Sequence, residues 1–375
     1  MITSILTLVI AFFSLIALMI IHEWGHFIIA KKFGVAVDEF GVGYPPRIWG
    51  KKFGETIYSI NWIPLGAFVR IRGEEGGLED AKSFSSLKIW KRVLIIIGGV
   101  AAFWVTAMII FSIVFAIGAD LPIGDEDVVG MTNARVNIIS VSGASPAAQA
   151  GIKIGDTIKG IKISGVETKI DKVSDFQKVT GENKGKEITV IIGRGGQNLE
   201  VGLTPRENPP EGQGAVGVGL ERMATLIGKT AWYMAPIKGI AYTWDITVKS
   251  LVGLYETFAG LFQQKGLPEG ASFAGPIGIT VFLANAASYG VGFFLYFIGA
   301  ISVLVAIFNL FPIPALDGGK LVFLLIEKLK GKPVSPKIEG RITIVFFTIL
   351  ICLSIFITIR FDIPLFYNFI KQAIT

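Results

Sequence analysis

Four stretches of the chain run apolar and uncharged for long enough to cross a bilayer: Ile2 to Ile21, Val93 to Ala119, Val291 to Leu310 and Ile342 to Ile359. About 20 apolar residues in a helix span the hydrocarbon layer. The pattern therefore predicts a polytopic α-helical membrane protein with four transmembrane helices. Between them the pattern changes. Val37 to Ile71 mixes β-branched and aromatic residues with turn signals at Gly41, Gly43, Pro45, Pro46 and Gly54, which reads as short strands and hairpins. Its later part, from Ile57, carries few charges, so these hairpins are expected to dip into the membrane, where surrounding protein or a water-filled cavity must cover their backbone.

From about Asp125 to Leu220 the chain reads as a soluble α+β domain. Alternating runs at Val136 to Val141, Thr157 to Ile163 and Ile188 to Ile192 predict strands, and Val173 to Val179 predicts a helix. Met223 to Gln264 interleaves apolar and aromatic residues with Lys229, Lys238, Asp245, Lys249 and Glu256. That spacing suits amphipathic helices on the membrane surface. A fifth span there is the alternative, and it would require a sixth. The expected organisation is a first span over 1–30, a loop with membrane-dipping hairpins over 31–92, and a second span over 93–119. The soluble domain follows over 125–220, then a surface segment over 223–288, a third span over 289–330 broken partway, and a fourth over 342–360.

Composition agrees with this pattern. Of 375 residues, 52% are hydrophobic, and mean hydropathy is +0.62, more apolar than a soluble chain of this length carries. The net charge of +6 arises largely in two loops, 31–92 and 320–341, where lysines and arginines gather at the ends of the spans. By the positive-inside rule both loops face the cytoplasm, and the soluble domain lies outside it. These basic residues are dispersed along membrane edges, which gives no reason to expect a nucleic-acid partner. The one cysteine, Cys352, allows no internal disulfide and reads as helix packing. The first apolar run lacks a basic leader and leads straight into HEWGH, so it reads as a retained span.

The chain has two histidines, His22 and His26, four residues apart in HEWGH. On a helix that spacing places both imidazoles on one face, where they can share a zinc ion, with Glu23 beside them as general base. Ionisable groups at membrane depth are costly and usually functional. A catalytic zinc takes three protein ligands, and no histidine remains. Asp317 is the first charged residue after the uncharged run from Gly270. It follows Pro312 and Pro314, which break a helix, and precedes Gly318 and Gly319. It is the expected third ligand; its plainer reading is a helix cap. Asn309, eight residues earlier, has an amide that could donate to substrate backbone or to a developing oxyanion. The alternative is that it satisfies kinked backbone.

These motifs together resemble the site-2 protease family of intramembrane zinc metalloproteases, in the bacterial regulator-of-sigma-E protease form. HEWGH lies in the first span. The run Ser142 to Ile161 is similar to a PDZ pattern, and NLFPIPALDGG lies in the third span. Gly41-Val42-Gly43, Ile63 to Val69 and Phe273 to Ile279 match further family segments. The resemblance implies one zinc ion held by His22, His26 and Asp317, Glu23 as base, and Asn309 on the substrate. It also implies a β-loop, including Gly41, Val42 and Gly43, that pairs with an unwound substrate strand. It implies a bacterial cytoplasmic membrane protein with an extracytoplasmic PDZ-like domain, whose carboxylate-binding strand falls near Gly214 to Val218. On the same resemblance, that domain is expected to take a peptide ligand and, with the amphipathic segment after it, to act as a size filter on substrates.

Three features depart from the family pattern. Gly98-Gly99 and Ala102 stand where relatives carry Gly-Pro and, three residues on, Asn. Lys320 stands where many have His, and one PDZ-like unit is present where some have two.

The function expected is zinc-dependent cleavage of single-span membrane substrates, such as anti-sigma factors or signal-peptide remnants, within the bilayer, with membrane lipid as the surrounding partner. Two rivals compete. A zinc transporter would need no base beside its histidines, and an inactive PDZ-bearing scaffold would have no use for an intact HExxH.

Overall fold

The computed structural model describes residues 2–74, 80–125, 131–210, 213–226, 230–263 and 273–374. Parts of the expected 31–92, 125–220 and 223–288 segments therefore lie outside the described residues. Helix α1 (Ile2–Lys32) carries the first apolar run and ends on Lys31 and Lys32, cations that complement the helix C-terminus. Strands β1 (Val37–Phe53) and β2 (Thr56–Ile71) follow. Each is long and bends back, so together they form a small sheet of four arms. The arm 37–42 sits in the middle, with Gly41 opposite Phe68 on one side and Ser59 on the other.

Helix α2 (Ile89–Ile117) is the second span and stops at Gly118, whose φ of 66° gives a left-handed cap. The soluble domain is a sheet of β3 (Leu121–Pro122), β4 (Met131–Val141), β5 (Thr157–Ile163), β6 (Val166–Lys169), β7 (Ile188–Arg194), β8 (Gln197–Leu203) and β9 (Val218–Leu226). Its order is β3-β9-β4-β5-β7-β8, with β6 beside β5. Two helices complete it, α3 (Pro146–Gln149) and α4 (Val173–Glu182). The core gathers Val136, Ile138, Ile158, Ile161, Phe176, Val190 and Ile192. The strands and helix read from the sequence all lie within these elements.

Helix α5 (Ala235–Phe262) is long and amphipathic. It packs along α2, with Tyr242 against Phe111 and Phe115. Gly239 comes so close to α2 that a Cβ would meet the Ser112 backbone nitrogen at 2.6 Å. Helices α6 (Pro276–Ser288) and α7 (Val291–Asn309) come next, and α6 lies against α1. At its end Tyr289 reaches the soluble domain: its hydroxyl donates to the Ile138 carbonyl and accepts from the Gly155 N–H.

After α7 the chain breaks at the two prolines and resumes as α8 (Asp317–Lys330). Then α9 (Pro336–Ile357) runs through one π-helical turn, 358–362, into α10 (Ile363–Ile374). Among the described residues, four helical stretches are long and apolar enough to cross a membrane: Ile5–Lys32, Ile89–Ile117, Val291–Asn309 and Pro336–Lys371. The four spans expected from hydropathy are these, the last extended at both ends.

Candidate active site

Helix α1 needs no special device to carry HEWGH. Its apolar run holds the helix, and spacing of four stacks His22 above His26, with Nε2 atoms 3.2 Å apart. The third element arrives from the other end of the chain. Pro312 and Pro314 end helical hydrogen bonding, and Ala315 turns the chain with a φ of 112°. Helix α8 then begins on Asp317. Gly318 and Gly319 are required by contact: a Cβ on Gly318 would stand 2.2 Å from the Phe311 carbonyl oxygen, and one on Gly319 2.4 Å from that of Ile313. With both glycines bare, the first turn of α8 nests on those carbonyls and Asp317 is buried beside the histidines.

Asp317 Oδ2 lies 3.4 Å from His22 Nε2 and 3.3 Å from His26 Nε2. His26 Nδ1 is 2.9 Å from the Ile95 carbonyl oxygen, to which it donates. A neutral His26 then presents Nε2 as a lone pair, and Asp317 Oδ2 is buried with no hydrogen-bond donor. With His22 in the tautomer that leaves its Nε2 unprotonated, three electron-pair donors converge, an arrangement that a cation would stabilise. Tetrahedral zinc, with bonds of about 2.0–2.1 Å, places its ligand atoms about 3.3 Å apart. The three observed separations fit that ion. The Ile95 carbonyl fixes ring orientation and tautomer in the way metal-bound histidines require, and Phe103 stacks on His22 with ring centroids 4.7 Å apart.

Glu23 lies on the same helix face region, partly buried, and its carboxylate takes no hydrogen bond or ion pair among the described residues. Asn309 is the last residue of α7, and its Nδ2 donates to the Val305 carbonyl at 3.0 Å. One amide N–H and the carbonyl oxygen remain for other partners.

The small sheet abuts α1 through Trp24 and Phe27 packing on Phe40 and through Gly66, whose missing Cβ would meet Met19 Sδ at 3.4 Å. Its interior is braced by the buried Glu39 carboxylate, which accepts from Ser59 at 2.6 Å and Arg47 at 2.7 Å. Asn61 donates to the carbonyls of Val42 and Gly43.

Here one expectation changes. Gly41 and Val42 have strand neighbours on both sides, Val42 facing Ala67 and Ile60, so they offer no open edge for a substrate strand. Gly43, with φ of 76° and a Cβ direction blocked by the Ile63 carbonyl at 2.6 Å, lies where the register of β1 shifts between Val42 and Tyr44. Among the described residues, the arm 67–71 has a strand neighbour on one side only, as does the arm 47–53 at the other end of the sheet.

Sequence reasoning missed the contribution of α2. Gly25 packs on Gly98 and Ala102, where a Cβ would meet the Gly98 carbonyl oxygen at 2.2 Å, and a Cβ on Gly99 would stand 2.2 Å from His26 Nε2. Gly98-Gly99 and Ala102 thus let two helices approach closely enough for the Ile95 carbonyl to reach a histidine. The sequence marks Gly98-Gly99 and Ala102 as departures from the family pattern, but not that they bring a backbone carbonyl to His26.

The comparisons with known proteins agree with this geometry. The model for peptidase family M50 matches residues 10–353. The chain is 31% identical over 353 residues to a provisionally named zinc metalloprotease of Clostridium perfringens, covering 94% of this chain and 97% of that one. It is 28% identical over 435 residues to the zinc metalloprotease RasP of Oceanobacillus iheyensis, covering 94% and 98%. A second zinc metalloprotease RasP, of Shouchella clausii, is 27% identical over 424 residues, 93% of this chain and 96% of the relative. A match across nearly the whole length, joined to a buried site able to hold a metal, places the chain in peptidase family M50, the site-2 proteases: it is an intramembrane metalloendopeptidase that takes zinc.

Proposed function

We propose that His22, His26 and Asp317 hold the zinc, that Glu23 is the general base, and that the substrates are single-span membrane proteins cut within their membrane segment. The observation that carries this reading is the convergence of three metal-binding atoms from α1 and α8, buried at the end of two apolar helices. Zinc, when bound there, supplies a Lewis acid that polarises the scissile carbonyl and acidifies water. Glu23, one residue from the first ligand and unpaired, takes the proton of the attacking water and returns it to the leaving amine. Asn309 offers its remaining amide N–H to the substrate or to developing oxyanion charge.

A peptide bond inside a helix is shielded by its own hydrogen bonds, so the substrate must be drawn out before water can attack. The one-sided arm 67–71 supports edge pairing as the replacement, next to α1. In the soluble domain, Gly214 to Gly217 leads into β9, and β3 covers β9 only at Met223 and Ala224. The part of β9 nearest Val218 is consistent with a PDZ-like peptide groove beside α4. By its basic loops the site faces the cytoplasm of a bacterial inner membrane, with the PDZ-like domain outside and acting as a size filter.

A transporter is disfavoured by the unpaired Glu23 beside the ligands, and a scaffold by the intact ligand set. The test is cleavage of tagged single-span proteins co-expressed with wild type or Glu23→Gln, with and without a chelator. Cutting by wild type alone, lost on chelation, is expected. Cutting that persists in Glu23→Gln would overturn the assignment of the base.

A further inference from the structure

Helix α8 presents one face to the rest of the protein, and four residues on it recur at helical spacing. Asp317 faces the histidines. Leu324 is buried in the core beneath the sheet, with Phe27, Phe40 and Ile71. Glu327 accepts a bidentate pair of hydrogen bonds from Arg92 of α2, Nη1 to Oε2 at 2.9 Å. Lys320, one turn beyond Asp317, reaches a different element: its Nζ lies 2.6 Å from Glu74 Oε1. Glu74 stands in the turn that leaves the sheet just after the arm 67–71, and its N–H donates to the Ile71 carbonyl. That turn is tied on its near side by Arg72, which pairs with Asp38 at 2.6 Å. Glu74 is the residue that crosses from it to α8.

We infer that the Glu74–Lys320 pair is a positioning latch, which fixes the arm 67–71 relative to Asp317 and so sets which peptide bond of an edge-paired substrate lies over the site. This rests on the proposed pairing of substrate with that arm. A latch of this kind is suited to geometry rather than to stability. The Lys320 side chain is 45% exposed and that of Glu74 19%, so the pair contributes little to folding. Its position is what matters, since a shift of one residue along a strand changes which backbone bond faces a fixed point and turns every side chain over. Leu324 and the Arg92–Glu327 pair hold the far half of α8; the half bearing Asp317 nests on the 310–313 turn and packs Leu321 on the core, and Lys320 is the residue there that reaches the turn after the arm 67–71. Neither Glu74 nor Lys320 is a metal-binding or proton-moving group here, and both act through the arm they hold.

The experiment uses the full-length protein in lipid nanodiscs with Glu74→Lys, Lys320→Glu and the Glu74→Lys/Lys320→Glu swap. The neutral pair Glu74→Gln and Lys320→Met is included against the chance that charge reversal harms folding, with bound zinc checked throughout. Hydrogen exchange over 67–73 and the bond cut are both read. The substrate is a tagged single-span reporter whose leucine-alanine segment contains an Asn-Gly pair. Each single variant is expected to speed exchange of the arm about tenfold and to spread cleavage over neighbouring bonds, and the swap to restore one rate and one cut. Unchanged exchange in the single variants, a single unchanged cut in them, or a swap that restores neither, would overturn the latch. If wild type leaves the reporter whole, the proposed substrate class fails, while exchange still decides whether Glu74 and Lys320 hold the arm.

Discussion

Gly99 of α2 lies against His26 of α1 so closely that a Cβ on the glycine would stand 2.2 Å from His26 Nε2, the atom that faces Asp317. Neither partner can give way easily, because His26 is held by the Ile95 carbonyl and α2 by its close approach to Gly25. Gly99→Ala is therefore expected to displace the imidazole and lower zinc affinity by on the order of tenfold or more, with the helices still inserted. Zinc content after dialysis against a buffered zinc series checks this. A variant that binds zinc as wild type does would show that the ring can move without cost.

Asp317 is the acid of the set, and its replacement separates metal binding from helix capping. Asp317→Asn keeps a side-chain oxygen able to cap α8 but removes the charge that balances the cation. Loss of zinc with α8 intact by hydrogen exchange is expected. Zinc retained at wild-type affinity with α8 intact would show that Asp317 is not a ligand.

Arg92 and Glu327 form a pair whose side chains are only 10% and 15% exposed. Removing one partner of such a pair leaves a buried charge uncompensated, at about 3 kcal/mol or more. Arg92→Met should lower thermal stability markedly, and adding Glu327→Leu should recover much of the loss. Equal stability of Arg92→Met and wild type would mean that water reaches the Glu327 carboxylate.

Burial in β9 pushes the Glu221 carboxyl up to about 7, from 4.5. The fold thus favours its protonated form. This contribution to stability is fully present below about pH 4.5 and is lost progressively as pH rises to about 7, a decline on the order of 3 kcal/mol. Thermal unfolding of the soluble domain, followed by its susceptibility to proteolysis between pH 5 and 8, should show the decline in wild type and lack it in Glu221→Gln. Parallel curves for the two proteins would count against it.

The spans were legible because hydropathy acts over 20 residues and needs no tertiary knowledge, and HEWGH was legible because both imidazoles sit on one helix. Asp317 could be named because a proline-broken apolar run leading to a charge is rare. The contribution of α2 was not legible, since a backbone carbonyl leaves no mark on residue identity and Gly99 reads as ordinary packing. The sheet misled for a related reason. Gly41-Val42-Gly43 is recognisable as a motif, but whether a strand lies on one side or both depends on long-range register, and the chain folds back so that both flanks are filled.

The glycines under the first turn of α8 have a consequence for when the protein can act. Two of the three residues of the candidate metal site lie within the first 26 residues, and the third joins them only once the 310–319 turn has closed. A ribosome that has produced the first two spans and the soluble domain has made a membrane protein with no hydrolytic centre. The ability to cut thus begins only after most of the chain is already in place.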